Sequence, residues 1–353
     1  MIIQENIPLA PLTTFQVGGP ARFFVEARSE SGVKEAVSMA AERHWPLFVL
    51  GGGSNLVIAD SGWPGLVLKI ALHGVESERE GSKKVYSSSA GESWDDLVAL
   101  TVRENCAGLE CLSGIPGTVG GTPVQNVGAY GQEVSQTVTR VRVLEISTGR
   151  IREFNNAECG FSYRSSIFNG SRRGEFIVLQ VDYQVNPQGA PYLEYADLKK
   201  FFADQSGPPT LQQVRDAVRS IRHSKAMLLV SGDEDCRSAG SFFKNPILAP
   251  AEADRVQALA ASRVPGKIVP RYPAEDGMVK LSAAWLVEQA GFHRGYGRGR
   301  VGISRKHSLA IVNRGGASAA DIVALRDEVQ RQILNVWGVQ LQTEPVFVGF
   351  ASH

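Results

Sequence analysis

An α+β fold built in more than one lobe is what this chain of 353 residues predicts. Three observations predict it: short β-branched and aromatic runs crowd the first half, helical spacing dominates the second, and the length is about two to three times that of a typical domain. In the first half, residues 22–27, 46–50, 65–70, 85–89, 140–146 and 176–185 read as strands bounded by Gly, Ser or Asn. Residues 31–44 carry apolar side chains near helical spacing, and Ser93-Trp94-Asp95-Asp96 is a capping signal ahead of Leu97, Val98, Leu100 and Val102. Strands outnumber helices here, which argues against a regular doubly wound sheet.

The second half reads differently. Thr210-Leu211-Gln212-Gln213 is a capping box, after which Leu211, Val214, Val218 and Ile221 form one apolar face with Arg215, Arg219 and Arg222 outside it. A helix over 282–289 is followed by Gly291, and a long one over 318–337 stops at Gly338. Residues 303–312 read as one strand, and a last strand, 346–350, follows Pro345. Stretches rich in Pro, Gly, Asn and Gln at 186–191 and 204–210 mark a surface excursion and a domain boundary.

Composition excludes several classes of function. With 43% hydrophobic and 21% charged residues the chain has ordinary globular usage, and 37 Lys plus Arg against 36 Asp plus Glu gives no bulk electrostatic case for nucleic acid or membrane. Cys106, Cys111, Cys159 and Cys236 lack CxxC pairing and His partners, so reduced thiols, no metal site and a cytoplasmic location are expected. The opening residues lack the basic n-region of a secretory signal, and the most apolar stretch, 47–59, is broken by three glycines and falls short of the roughly 18 residues of a membrane span.

Glycine, 37 residues or about one in ten, exceeds the usual fraction of about 7%. The sharpest cluster, Gly51-Gly52-Gly53-Ser54-Asn55, lies between two strand-like runs, where residues without Cβ can aim successive N–H groups at one anion. A tight strand–strand turn is the alternative. A second cluster runs from Ser113-Gly114-Ile115-Pro116-Gly117-Thr118-Val119-Gly120-Gly121 through Asn126-Val127-Gly128-Ala129-Tyr130-Gly131, and would let backbone approach a flat ligand or form a mobile surface loop. Gly297-Arg298-Gly299-Arg300-Val301-Gly302 matches GxGxxG, but a strand does not precede it and a helix does not follow, as a dinucleotide site requires. Arg294, Arg298, Arg300, Arg305 and Lys306 around Tyr296 make the best local case for nucleic acid, with a solvated loop or a clamp for one anion as the blander readings.

Three separated segments carry chemistry: Gly160-Phe161-Ser162-Tyr163-Arg164-Ser165-Ser166, Ser238-Ala239-Gly240-Ser241-Phe242-Phe243-Lys244-Asn245-Pro246, and Gln342-Thr343-Glu344-Pro345-Val346. On residue type alone they are a surface Arg, a turn Ser and a strand-edge Glu, with no Ser-His-Asp order joining them. Together with Thr13-Thr14-Phe15-Gln16-Val17-Gly18-Gly19, the two glycine blocks and Lys280-Leu281, they resemble, in order and over nearly the whole chain, the UDP-N-acetylenolpyruvoylglucosamine reductase family of flavoenzymes.

The resemblance implies a two-lobed FAD-binding domain of the vanillyl-alcohol-oxidase (PCMH) type, with lobes at 1–72 (joined by the tail 340–353) and 73–209, then an α+β substrate domain at 210–339. It implies that Gly51, Gly52, Gly53, Ser54, Asn55, Gly114, Ile115, Pro116, Gly117, Gly120, Gly121, Asn126, Gly128 and Ala129 hold a non-covalent FAD reduced by NADPH. The segment 191–198 is similar to the tyrosine loop of the longer subtype, within 186–205, with Tyr195 folding over a UDP-sugar. The implied reaction, in peptidoglycan precursor synthesis, passes hydride from flavin N5 to C3 of an enolpyruvyl group. Such an addition needs charge at C2 and the carboxylate stabilised, and then a proton at C2. By resemblance Arg164 and Glu344 polarise the carboxylate, and Ser241 supplies the proton with help from Lys244 or Lys225. Tyr163, Lys225, Asn245 and Lys280 would contact the UDP-sugar or the nicotinamide phosphate, in a monomer. The alternatives are another FAD oxidoreductase of this fold, against whose covalent flavin stands the lack of His in the glycine blocks, and a nucleic-acid module using the basic stretch.

Overall fold

The computed structural model describes residues 1–351 apart from 298. Two compact units form, one from Met1–Ile7, Ala21–Gly53 and Trp63–Leu229, the other from Pro8–Pro20, Ser54–Gly62 and Val230–His353. This division differs from the expected boundaries. The 8–20 and 54–62 segments join the second unit because Phe15, Val17 and Val57 belong to its core, and the helix expected to open the substrate domain at 210 packs in the first.

In the first unit, strands Pro20–Ala27, Trp63–Ile70 and Leu47–Leu50 pair in parallel, with Gln4–Pro8 at the far edge. Parallel strands need crossovers, and α1 (Glu30–Glu42) supplies the one from Pro20–Ala27 to Leu47–Leu50; its N-cap Ser29 accepts the Gly32 N–H, and its Val33, Ala36, Val37 and Ala40 are buried in the core. An antiparallel sheet follows in the order Ile151–Asn155, Val138–Glu145, Phe176–Pro187, Lys83–Ser89, Val75–Glu80. Both sheets share one apolar core, in which Trp94, Tyr86 and Tyr183 are fully buried.

Helix α2 (Trp94–Arg103) corrects a sequence expectation, since Ser93 makes no side-chain cap. Asp95 acts instead, accepting from the Gly114 N–H at 2.6 Å, from two Arg215 nitrogens at 2.7 and 2.9 Å and from Arg219 at 2.5 Å. The partners lie on α4 (Leu211–Ser224), which follows the short α3 (Ala196–Phe201) and does begin with the expected Thr210–Gln213 capping box. Arg215 and Arg222 are therefore buried rather than outside the apolar face: Asp95 compensates the first, and the second donates to the Met227 carbonyl at 2.6 Å. Val214, Ala217 and Val218 of α4 pack with Cys111 and Leu198.

The second unit holds α5 (Pro250–Arg263), α6 (Ala283–Gln289) and α7 (Ala319–Trp337). Ser318 caps α7 at one end and left-handed Gly338 ends it at the other, as the sequence indicates. Leu56–Ile58 pairs in parallel with Val346–Val348, shorter than the expected 346–350. The expected strand 303–312 is a hairpin, Val301–Ile303 against Ile311–Asn313, because the buried Ser304 hydroxyl accepts the N–H groups of Lys306 and His307 and turns the chain. Among the described residues no helix is long and apolar enough to cross a membrane, no cluster suits a metal ion, and the four buried cysteines form no disulfide.

Burial opposes ionisation of Asp95, but the bonds from Arg215 and Gly114 and the two arginine charges outweigh it and hold the carboxyl below its usual range. A carboxyl so lowered gives stability that is complete above about pH 4 and is lost as pH falls through the folded value. Asp95→Ala should cost about 3 kcal/mol at neutral pH by leaving Arg215 uncompensated, and should flatten the acid limb of a stability-against-pH curve measured by urea melts. A neutral substitution with an unchanged limb would refute this.

Candidate active site

The two glycine blocks meet inside the first unit. A Cβ on Gly52 would lie 2.6 Å from the Gly117 Cα and 2.9 Å from its carbonyl carbon, so backbone rests on backbone where no side chain fits. Gly53 and Gly117 are left-handed. Among the described residues nothing accepts the N–H groups of Gly52 and Gly53, which leaves two adjacent donors at the end of strand Leu47–Leu50. Such a cradle fits a phosphate group, and a dinucleotide cofactor carries two.

The second block is spent mainly on its own fold. Gly114 donates its N–H to Asp95, Gly120 to the Ala90 carbonyl and Gly121 to the Thr118 carbonyl. Ile115 packs against the core, and Pro116 has no N–H to offer. Buried Asn126 donates to Glu133 at 2.8 Å and to the Ser162 carbonyl at 3.1 Å, and accepts from the Ser135 N–H, so its side chain shapes the loop. Gly128 and Ala129 form a short strand against Gln132 and Glu133.

Arg164 sits at the tip of a reciprocal Ser162–Ser165 turn with φ of +56°, donates to the Gly128 carbonyl at 2.8 Å and lies over the Tyr163 ring. A left-handed non-glycine costs about 1 kcal/mol and persists where surrounding structure enforces it, which fits a functional position. In the tyrosine loop, Tyr195 packs edge-on against Tyr130, and Asp197 pairs with Lys225 at 2.7 Å. Buried Glu110 anchors the same loop by accepting the Tyr192 N–H at 2.8 Å, a residue no sequence signal singled out.

The remaining candidates belong to the second unit. Ser54 offers its carbonyl to Thr14 at 3.4 Å, and Asn55 donates through its side chain to the Glu344 carbonyl at 3.2 Å. The segment around Ser241 is tied on two sides: the Glu344 N–H donates to the Phe242 carbonyl, and the Phe242 N–H to the Leu309 carbonyl. Asn245 accepts the Ala283 N–H at 2.9 Å beside the start of α6, while Lys280 lies on Val279–Leu281 opposite Ile247. Ser241, His307, Glu344, Asn245 and Lys280 are thus carried by connected segments of one unit.

The structure puts His307 Nε2 3.3 Å from the Ser241 hydroxyl. Lys225 is committed to Asp197 in the first unit. The polar run Ser304-Arg305-Lys306-His307-Ser308 inside an apolar stretch is the sequence signal for a turn there.

The GxGxxG stretch faces the wrong way for phosphate. Arg314 inserts its guanidinium among the carbonyls of Gly295, Tyr296, Gly297 and Ile303, so acceptors line the loop where donors would be needed; Arg298 lies outside the described residues. Arg294 pairs with Glu288, Arg305 with Glu234 and Lys306 with Asp233, and Arg300 donates to the Gly316 carbonyl, as in a solvated loop.

Comparison with known proteins turns this geometry into a class. Residues 21–155 match the FAD binding domain family and residues 232–348 the family described as UDP-N-acetylenolpyruvoylglucosamine reductase, C-terminal domain. The protein is an FAD-dependent oxidoreductase. The UDP-N-acetylenolpyruvoylglucosamine reductase of Thermobifida fusca is 46% identical over 98% of both chains, and that of Streptomyces avermitilis 44% identical over 98% of this chain and 96% of its own. The crystal structure of the enzyme of that name from Thermus caldophilus is 25% identical, with a TM-score of 0.67 over 98% of this chain and all of its own. This chain therefore belongs to the UDP-N-acetylenolpyruvoylglucosamine reductase family.

Gly52→Ala should weaken FAD binding at least about tenfold, because the added carbon meets backbone that cannot swing aside. Quenching of FAD fluorescence by the stripped protein would show it, and a variant that binds FAD like the wild type would sink the cradle.

Proposed function

We propose that this protein reduces UDP-N-acetylglucosamine enolpyruvate to UDP-N-acetylmuramate at the expense of NADPH, in peptidoglycan precursor synthesis in the cytoplasm. The single observation that supports it most is the near full-length identity to reductases of that name, over a chain whose Ser241 and Glu344 lie on hydrogen-bonded segments. When bound, FAD takes hydride from NADPH and delivers it to C3 of the enolpyruvyl group. The N–H groups of Gly52 and Gly53 would hold its phosphates, and Gly117 keeps their cradle open. Gly51, Ser54, Asn55, Gly114, Ile115, Pro116, Gly120, Gly121, Asn126, Gly128 and Ala129 contribute by shaping the segments around it.

Arg164 and Glu344 draw electron density from C2 into the substrate carboxylate, Arg164 as a cation and Glu344 as a hydrogen-bond partner. Ser241 then gives its proton to C2. Tyr163, Lys225, Asn245 and Lys280 orient the nucleotide-sugar, and Tyr195 closes over it, which requires Lys225 to exchange Asp197 for a substrate phosphate. The chain acts as a monomer in this reading.

Two outcomes test it. The purified protein should be yellow, bleach with NADPH, and regain colour without oxygen only when the enolpyruvyl sugar is added; recovery with unrelated oxidants alone would favour another flavin oxidoreductase. Ser241→Ala should keep flavin reduction by NADPH within about twofold while sugar reduction falls by at least about a hundredfold. Equal loss in both half-reactions would make Ser241 structural.

A further inference from the structure

We propose that His307 is the positioning residue that fixes the Ser241 hydroxyl and returns a proton to it after each turnover. The inference rests on the reading of Ser241 as the donor to C2. A serine hydroxyl that has given up its proton is a strongly basic alkoxide, so a neighbouring acid must restore it before the site can turn over. His307 Nε2, at 3.3 Å, is the side-chain partner of Ser241 Oγ among the described residues.

The turn that carries the imidazole is held by its backbone. The main-chain N–H of His307 donates to the buried Ser304 hydroxyl, the His307 main-chain carbonyl accepts the Ala310 N–H at 3.2 Å, and the Leu309 carbonyl two residues on accepts the Phe242 N–H at 2.8 Å. The turn bearing the base is thereby bonded to the backbone next to the acid it serves. Phe242 and Phe243 are buried alongside and offer no competing donor.

Charges packed about this turn are largely matched. Arg305 and Lys306 on the turn pair with Glu234 and Asp233, Asp235 accepts the Arg305 N–H, and Arg237 pairs with Glu234 and donates to the Asn313 carbonyl. Lys244 and Glu344 stand on the segments flanking Ser241.

After hydride reaches C3, the electron pair at C2 takes the Ser241 proton as the Oγ–H bond breaks. The alkoxide then takes the Nε2 proton of imidazolium, leaving neutral imidazole, which regains a proton from water. Electrons come only from the hydride of the parent reaction.

Stopped-flow measurement of each half-reaction between pH 5.5 and pH 9 tests this on FAD-loaded His307→Gln, His307→Asn and Ser241→Ala, with thermal melting as the check on folding. In both His307 variants flavin reduction by NADPH should stay within about twofold of wild type, while reoxidation by the enolpyruvyl sugar slows by about a hundredfold. The wild-type reoxidation rate should fall with rising pH across this range, and that limb should vanish in the variants. A limb retained in both, or equal slowing of both half-reactions, overturns the inference. Should Ser241→Ala reoxidise at the wild-type rate, the donor reading itself fails. A slow Ser241→Ala beside a wild-type His307→Gln refutes only the role of His307.

Discussion

The carboxylate of Asp95 ties together three separate parts of the first unit. From the first turn of α2 it binds the amide that opens the second glycine block and the two arginines that seat α4. Helix α4 ends at Lys225, whose partner Asp197 lies in the loop bearing Tyr195. The second glycine block and the loop bearing Tyr195 thus take their positions from one half-buried acid. Such an arrangement tolerates little, since removing the acid strands cations rather than merely deleting a contact.

Much of this could be read in the sequence. Strands Trp63–Ile70 and Phe176–Pro187 and helices α1, α4 and α7 have strong periodicity and explicit caps, and they appear within a few residues of the expected limits. What escaped has a physical pattern. Val75–Glu80 and Ile151–Asn155 are edge strands whose charged faces carry little apolar alternation, and α5 shows too weak an amphipathic stripe to stand out. Arg215 and Arg222 were placed in solvent because their countercharge and carbonyl acceptor are not decided by helical periodicity.

The site was legible in parts. Glycine excess led to residues 51–55 and 114–131, but only the structure distinguishes glycines that leave donors open from those that fold their own loop. Ser241 and Glu344 stood out through ordered family motifs, whereas His307 did not, because it is 66 residues from its serine and no spacing rule connects them.

Arg314 carries a consequence for behaviour in concentrated salt. Its guanidinium is solvated by four neutral carbonyls instead of a carboxylate, so dissolved ions have no countercharge to displace. The surface pairs Arg294–Glu288 and Arg305–Glu234 weaken as ionic strength rises, yet the loop that Arg314 fills keeps its form. In this protein the segment with the densest positive charge is shaped by a bond that is indifferent to ionic strength.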